Sequence, residues 1–258
     1  MKYKITDETT KYLGRILHRI EALCTFDDVK IGDKGGFIES ENNLSQEGTC
    51  WVYNNAKVLE QAVVSGDACI YDNAVVCGNA LVYDNAEVAG RAIVRSNTKI
   101  YGNASISGHA IISGEAQVFD YAYVKEDARI RDNAKVYGYA EIYGNSSISG
   151  YAEIYDNAEI RGRSCIYGKS KVSGYAVVSG EAVIGDAIIK ETHDYIVFKN
   201  WWSSGRYFTW TKTNNMWSVG CFHGTGDELI AKAYSDSQKS GREYERIVRY
   251  VESILNDE

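Results

Sequence analysis

Residues 128–145 read ARIRDNAKVYGYAEIYGN, which is three copies of one six-residue unit. Each unit places a small residue, then Val or Ile two positions later, then Gly or Asp two positions after that. From Val52 to Ile184 every sixth residue is Val or Ile, at 23 positions without exception. The preceding small residue is Ala in 18 units, and the following corner residue is Gly in 13 and Asp in six. Self-similarity at a fixed short period indicates a repeat fold.

The unit predicts a short strand followed by a bend. Residues two apart on a strand point to the same face, so Ala and Val or Ile both point inward. Gly or Asp, with its neighbour, supplies a turn that tolerates positive φ. Three units then close a triangular coil, and stacked coils pair in parallel around β-branched side chains. The absence of Pro agrees with a backbone in which nearly every N–H is needed.

Two resemblances extend this prediction. The hexads resemble those of the hexapeptide-repeat left-handed β-helix, the fold of the trimeric acyltransferases of the LpxA-like superfamily. Residues 26–40 (FDDVKIGDKGGFIES) and 43–52 (NLSQEGTCWV) resemble the segment that precedes the coils in YdcK-type bacterial proteins, whose acyltransferase label rests on fold. The resemblance implies a mainly β chain: a single-stranded left-handed parallel β-helix of about 7.7 coils, at 18 residues per coil.

We expect three parts: an N-terminal β cap at residues 1–49, the β-helix at 50–188, and a small α+β module at 189–258. Caps are needed because an open β-helix exposes two sheet edges. In the first cap, the alternation at residues 19–23 favours a strand over a short helix, and Gly35-Gly36 predicts a tight turn.

The last part is predicted as a βββαα module. A strand is expected at residues 194–199, a hairpin at 206–212 and 216–222, and helices that begin at Thr225 and Ser240. Its sequence resembles a C-terminal module of uncharacterised phage and bacterial proteins, a resemblance that carries no activity.

Composition narrows the classes of function. The formal net charge of −7 argues against a nucleic-acid or anionic-membrane partner, and no run of 18 apolar residues exists. With no signal peptide at its start, we expect a cytoplasmic protein of a bacterium or phage-infected bacterium. The six Cys show neither CxxC pairs nor metal-ligand spacing, and we expect them to be free thiols. Neither a bound metal nor a cofactor is predicted.

The resemblance implies one enzyme hypothesis: acyl transfer from a coenzyme A or carrier-protein donor, with a His as general base at a subunit interface. Of four His, only His109 lies within the coils, so it is the candidate. Alternatively, it is a solvated turn residue in a corner of mixed charge. A general base needs a cleft and a positioned partner, and the 23 hexads contain no insertion to build a cleft. We therefore expect a non-catalytic protein, with the acyltransferase as the alternative.

Aromatic residues suggest surfaces for binding. Five successive coils carry an aromatic residue on one face: Tyr83, Tyr101, Phe119, Tyr137 and Tyr155. The adjoining corner carries Tyr121, Tyr139 and Tyr175, and another face carries Val75, Ile93 and Ile111. Such rows can stabilise a sheet by stacking, and they can also form an interface. Both readings stay open, and a homo-oligomer, with a trimer favoured, is expected.

The C-terminal module is the predicted recognition element. Aromatic residues and Arg carry much of the energy at interfaces, which makes a group of its residues candidates for binding a protein partner or small ligand. They are Trp201, Trp202, Arg206, Trp210, Trp217 and His223. Alternatively, they cap the end of the coils. The favoured function is thus a β-helical scaffold that presents this module, with the phage resemblance suggesting a host factor, such as a defence system, as target.

Overall fold

Three parallel sheets wrap into a β-solenoid of about eight turns, with antiparallel strands before it and a small sheet with two helices after it. A computed structural model describes residues 1–256. The N-terminal strands are β1 (Tyr3–Tyr12), β2 (Arg15–Ala22) and β3 (Lys34–Ile38), followed by a 3-10 turn at Glu41–Asn43. The mainly β, coiled fold predicted from the hexads is confirmed.

Strands β4 to β27 build the turns of the solenoid. In chain order they are Trp51–Val52, Lys57–Val58, Val63–Val64, Cys69–Ile70, Val75–Val76, Leu81–Val82, Glu87–Val88, Ile93–Val94, Lys99–Ile100, Ser105–Ile106, Ile111–Ile112, Gln117–Val118, Tyr123–Val124, Arg129–Ile130, Lys135–Val136, Glu141–Ile142, Ser147–Ile148, Glu153–Ile154, Glu159–Ile160, Cys165–Tyr167, Lys171–Val172, Val177–Val178, Val183–Gly185 and Ile188–Ile189.

Every third strand joins the same sheet, which gives the solenoid three faces. The first face begins with β4, the second with β5 and the third with β6, and each stacks eight solenoid strands in parallel. Partners lie 18 residues apart, as in the pairing of Ile93 with Val75 and Ile111. The inward small residue and the Val or Ile of each hexad are fully buried along the axis. This register places outward residues 18 apart directly above one another.

The corners explain why Gly alternates with carboxylates. Every corner residue from Asn54 to Asp186 has a positive φ, whether or not it is Gly. Asp132 illustrates the compensation, since its carboxylate accepts a hydrogen bond of 3.0 Å from the N–H of Gly150, one turn later. A Cβ on Gly150 would lie 2.9 Å from the backbone nitrogen of Gly168. Stacked corners therefore favour Gly, and a carboxylate where it can accept from the next Gly.

The N-terminal cap extends the second face. Strands β1 and β2 form an antiparallel hairpin, while β3 pairs antiparallel with β2 and parallel with β5. The strand predicted over residues 19–23 is therefore confirmed. The prediction of a tight turn at Gly35-Gly36 is wrong, because both residues lie inside β3. A Cβ on Gly35 would come within 2.6 Å of the Ile20 side chain, so Gly is required there for close packing.

Polar side chains close the first edge of the solenoid. The Lys2 ammonium is buried and donates to the carbonyl oxygens of Cys50 at 2.9 Å and Gly48 at 3.2 Å. The buried Asn43 amide donates to the carbonyl oxygen of Ala62 at 2.9 Å. These bonds satisfy carbonyl groups that would otherwise face an absent preceding turn.

The C-terminal module has one strand more than predicted. A 3-10 turn at Thr192–Asp194 leads into a four-stranded antiparallel sheet and two helices: β28 (Tyr195–Lys199), β29 (Tyr207–Thr211), β30 (Met216–Val219), β31 (Phe222–Gly224), α1 (Gly226–Asp236) and α2 (Gln238–Asn256). The prediction of a single strand at 216–222 is wrong. Gly220 adopts a φ of 59° and begins a turn that separates β30 from β31.

The start of the second helix also differs from the prediction. Helix α2 begins at Gln238 rather than at Ser240, and Ser237 is the residue between the two helices. The Ser237 hydroxyl accepts a hydrogen bond from the Ser240 N–H, as an N-cap does. Gly241 lies inside the helix, where a Cβ would overlap the Tyr234 ring.

The module closes the last edge of the solenoid through side chains. The Thr209 hydroxyl accepts from the N–H of Val183 at 2.9 Å, and the Thr213 hydroxyl accepts from the N–H of Ile188 at 3.1 Å. These hydroxyls take the place of the carbonyls of a further turn. The exposed edge that would invite pairing with another chain is thereby blocked.

Candidate functional site

His109 and Asp127 form a surface pair at the corner that leads into the second face. They occupy the same corner position in consecutive turns, and the His109 Nδ1 lies 3.9 Å from an Asp127 carboxylate oxygen. Both side chains are about 60% exposed: 61% for His109 and 59% for Asp127. The pair can exchange a proton with a bound molecule, although neither side chain lies in a closed pocket.

A cleft of about 280 Å³ lies on the second face, in the same turns and the one before them. It is lined by Arg95, Ile111, Ser113, Arg129, Ile130 and Arg131, and we call it the arginine cleft. His109 precedes Ser113 by four residues along the same turn. At 3.3 Å per strand residue the two residues are at most roughly 13 Å apart. The surface pair and the arginine cleft thus share one face of a rigid scaffold.

Sequence reasoning missed the arginine cleft, although a signal was present. Arg95 and Arg131 are 36 residues apart, which is two turns of 18 residues. Sorting outward residues by turn places both in one column, with Ser113 between them.

The predicted row of Tyr and Phe is a stack on the third face. Neighbouring rings of this aromatic ladder (Tyr83, Tyr101, Phe119, Tyr137 and Tyr155) are 4.8–5.1 Å apart and within 5° of parallel. Burial within the stack raises the pKa of Tyr101 and Tyr137. At the adjoining corner, Tyr121 and Tyr139 stack at 5.0 Å and are mostly exposed, as is Tyr175. The role of these rings as an interface stays a prediction.

The apolar row on the second face is shorter than expected. Val75 is 6% exposed, because the cap covers it together with Leu17, Phe37 and Leu59. Ile93 and Ile111 remain half-buried. Val75 therefore packs against the cap and is not available for a contact between subunits.

Three of the predicted recognition residues are core residues of the C-terminal module. Trp202, Trp210 and Trp217 are 7%, 2% and 1% exposed. Trp202 packs edge-on against Tyr244 with ring centroids 5.0 Å apart, and the Trp210 indole N–H donates to the side chain of Asn215 at 2.8 Å. Trp202 and Trp217 are therefore core residues rather than recognition residues. Trp210 also lines a cleft of about 390 Å³ formed by β28, β29 and α2, and its role in recognition stays a prediction.

The remaining candidates do not form one site. Trp201 is 74% exposed, as expected for one member of the pair. Arg206 lines a cleft of about 220 Å³ with Asn200, Lys232 and Asp236, and Trp201 is not part of its lining. His223 is half-buried, and its Nδ1 lies 3.0 Å from the Ser218 hydroxyl oxygen. The structure thus places these candidates in separate surroundings.

Residues 1–256 give little support to metal binding or to catalysis by a thiol. That part of the chain holds no group of three or more His, Cys, Asp or Glu side chains that could bind a metal ion. All six Cys are free, and burial raises the pKa of the Cys50, Cys69, Cys77 and Cys165 thiols. A raised pKa reduces the thiolate fraction and hence the reactivity. Neither described helix combines the length and apolar character that crossing a membrane requires.

Comparison with known proteins gives a distant relationship. No family model matches the sequence. A protein of Escherichia coli (strain K12), named uncharacterized acetyltransferase YdcK, is 36% identical over 75 residues. The match covers 26% of this chain and 23% of YdcK, so the chain spans less than a quarter of that relative's length. Taken with its coils, the chain is a hexapeptide-repeat β-solenoid protein with distant similarity to YdcK.

Proposed function

We propose that the protein is an acyltransferase that accepts an acyl group from a coenzyme A or carrier-protein thioester. The observation that carries this proposal is the similarity to YdcK, which is named an acetyltransferase. The coiled fold and the presence of one His–Asp pair within the coils support it. The sequence alone favours a non-catalytic scaffold, and the similarity shifts the balance to the enzyme.

In this proposal His109 is the general base. Its neutral imidazole takes the proton from an acceptor hydroxyl or amine as that group attacks the thioester carbonyl. Asp127 stabilises the imidazolium that forms, and the proton then passes to the departing thiolate. The separation of 3.9 Å is longer than a hydrogen bond, and such contacts often shorten when substrate binds.

Exposure of His109 implies a second requirement. Acyl transfer needs water kept away from the thioester, and an open corner excludes none. A neighbouring subunit packed against the second face would provide this exclusion. We therefore propose that the active form is an oligomer, with a trimer as its expected state.

The test is thiol release from acetyl-coenzyme A with a panel of hydroxyl and amine acceptors. We expect His109→Ala to lower kcat/KM by about 10²- to 10⁴-fold, and Asp127→Asn to lower it less. The matched control is His193→Ala, an exposed His outside the coils. Absence of thiol release by the unmodified protein above the buffer rate, or equal loss in the control, would overturn the proposal.

A second candidate is a scaffold that binds a protein partner, such as a host factor, through the C-terminal module. The observation that favours it is an exposed Trp201 beside a Trp202 whose buried indole N–H has no hydrogen-bond partner within residues 1–256. Capture from host lysate by the full chain should be lost with Trp201→Ala and kept with Tyr250→Ala, a matched exposed aromatic on α2. Equal capture by both variants would exclude Trp201 as the recognition residue.

A further inference from the structure

The arginine cleft concentrates positive charge on a chain that is acidic overall. Three guanidinium groups, from Arg95, Arg129 and Arg131, line one opening of about 280 Å³. The chain as a whole has 35 acidic and 28 basic residues. Three arginines around one opening are therefore a local concentration of positive charge on this surface.

None of the three cleft arginines forms an ion pair in the described part of the chain, whereas six of the other nine arginines do. These six are Arg15, Arg19, Arg161, Arg163, Arg246 and Arg249. The Arg95 and Arg129 guanidinium groups have neither an ion pair nor a hydrogen bond within residues 1–256. Arg131 donates only to the Ser147 hydroxyl, at 3.0 Å. The donor groups in the cleft are therefore nearly all available.

The two carboxylates that lie closest in sequence to the cleft arginines contact groups other than those arginines. Asp132, next to Arg131, accepts a hydrogen bond from the Gly150 N–H and is committed to the corner. Asp127, two residues before Arg129, faces the His109 ring, with 3.9 Å between its carboxylate oxygen and His109 Nδ1. Like charges held together repel one another, and a bound anion would offset this repulsion.

The spacing of the cleft defines the size of that anion. Arg95 and Arg131 occupy equivalent positions two turns apart, roughly 10 Å at about 4.8 Å per turn. Ser113 lies between them in the intervening turn, and its small side chain leaves the space open. A planar guanidinium donates paired N–H groups that match the oxygens of phosphate. The volume is below that of pockets that enclose whole ligands, which suits a phosphate or diphosphate group.

We propose that the arginine cleft binds the phosphate or diphosphate group of a small molecule, with Arg95, Arg129 and Arg131 as donors and Ser113 at its base. The backbone of the site is held by pairing between turns: Arg129 lies in β17, which pairs on both sides, and Arg95 and Arg131 directly follow paired strands. This proposal does not depend on acyl transfer, since it concerns binding alone.

The test is isothermal titration of the full chain with inorganic pyrophosphate at low and moderate salt. Each of Arg95→Gln, Arg129→Gln and Arg131→Gln should weaken binding about tenfold or more, the usual effect of losing hydrogen bonds to a charged group. Arg242→Gln is the matched control, because Arg242 is exposed, lies on α2 and has no ion pair within residues 1–256. It should bind as the unmodified protein does.

Three outcomes would overturn the proposal. The first is no binding of pyrophosphate at millimolar concentration by the unmodified protein. The second is equal weakening in the Arg242→Gln control. The third is binding of a DNA duplex, lost in the cleft variants, without binding of pyrophosphate. Unchanged melting temperatures of the variants, which alter outward side chains only, would show that the fold is intact.

Discussion

The C-terminal module and the second face of the coils use their conspicuous residues in opposite ways. In the module, Trp202, Trp210 and Trp217 form the core, because a small sheet and two helices need large side chains to bury enough apolar surface. In the coils, Ala, Val and Ile already fill the axis, so outward residues have no part in that core. Aromatic density in the module therefore reflects packing, whereas the outward Arg95 and Arg129 side chains are available for the proposed anion binding.

The largest expected effect comes from removing a module core residue. Trp217→Ala should lower the free energy of unfolding of the module by about 3–5 kcal/mol, since it deletes a fully buried indole. The matched variant Trp201→Ala should change it by less than about 0.5 kcal/mol, as expected for an exposed side chain. Urea denaturation followed by near-UV circular dichroism measures both. Equal losses would contradict the division between core and surface.

A smaller effect is expected at the corners, where backbone geometry rather than side-chain burial limits the sequence. Gly150→Ala places a Cβ 2.9 Å from the nitrogen of Gly168 at a φ of 69°. We expect a loss of about 1–3 kcal/mol. Gly180 has a similar φ of 72°, but a Cβ there would meet open space. Gly180→Ala should therefore lose only the stability that the strained φ costs, which is less than the loss in Gly150→Ala. Thermal unfolding of the two variants compares them, and a larger loss in Gly180→Ala would contradict this account.

The smallest expected effect is on the acid sensitivity of stability, through Glu39 in the N-terminal cap. The Glu60 N–H and the Arg15 guanidinium bind the Glu39 carboxylate at 2.8 and 2.7 Å and hold its pKa below the ordinary 4.5. A lowered folded pKa means that this contribution to stability is present above pH 4.5 and is lost as the pH falls through the folded value.

Glu39→Gln should therefore reduce the loss of stability between pH 7 and pH 3, as measured by urea midpoints at both values. Glu115→Gln is the control, since its exposed side chain has no hydrogen bond or ion pair in the described chain. It should leave the pH dependence as it is. An unchanged pH dependence in Glu39→Gln would show that this carboxylate is not linked to folding.

Much of the fold could be predicted from the sequence, because the six-residue repeat specifies the same strand and bend in every turn. Outside the repeat, single close contacts determine the local structure. Gly35 and Gly36 are indistinguishable in sequence from turn residues, and only the approach of Ile20 and Trp51 shows that they lie in a strand. Gly220 likewise divides a run of residues that alternates as one strand would.

The candidate site is harder to predict from the sequence than the fold is, for a physical reason. His109 was found because His is rare in the chain. The arginine cleft depends on which outward residues stack and on which carboxylates are already bonded, such as Asp132 to Gly150. Which outward residues stack follows from the 18-residue register, whereas which carboxylates are already bonded can be seen only in the three-dimensional structure. Burial of Trp210 and Trp217 also depends on tertiary packing of the helices against the sheet.

We expect small molecules to bind at the second face and not in the C-terminal module. The most direct test is titration of the full chain with coenzyme A, followed by backbone amide chemical shifts in nuclear magnetic resonance. We predict that shifts change within residues 91–131, around His109 and the arginine cleft. Changes confined to residues 199–224, or no change at millimolar coenzyme A, would contradict the claim.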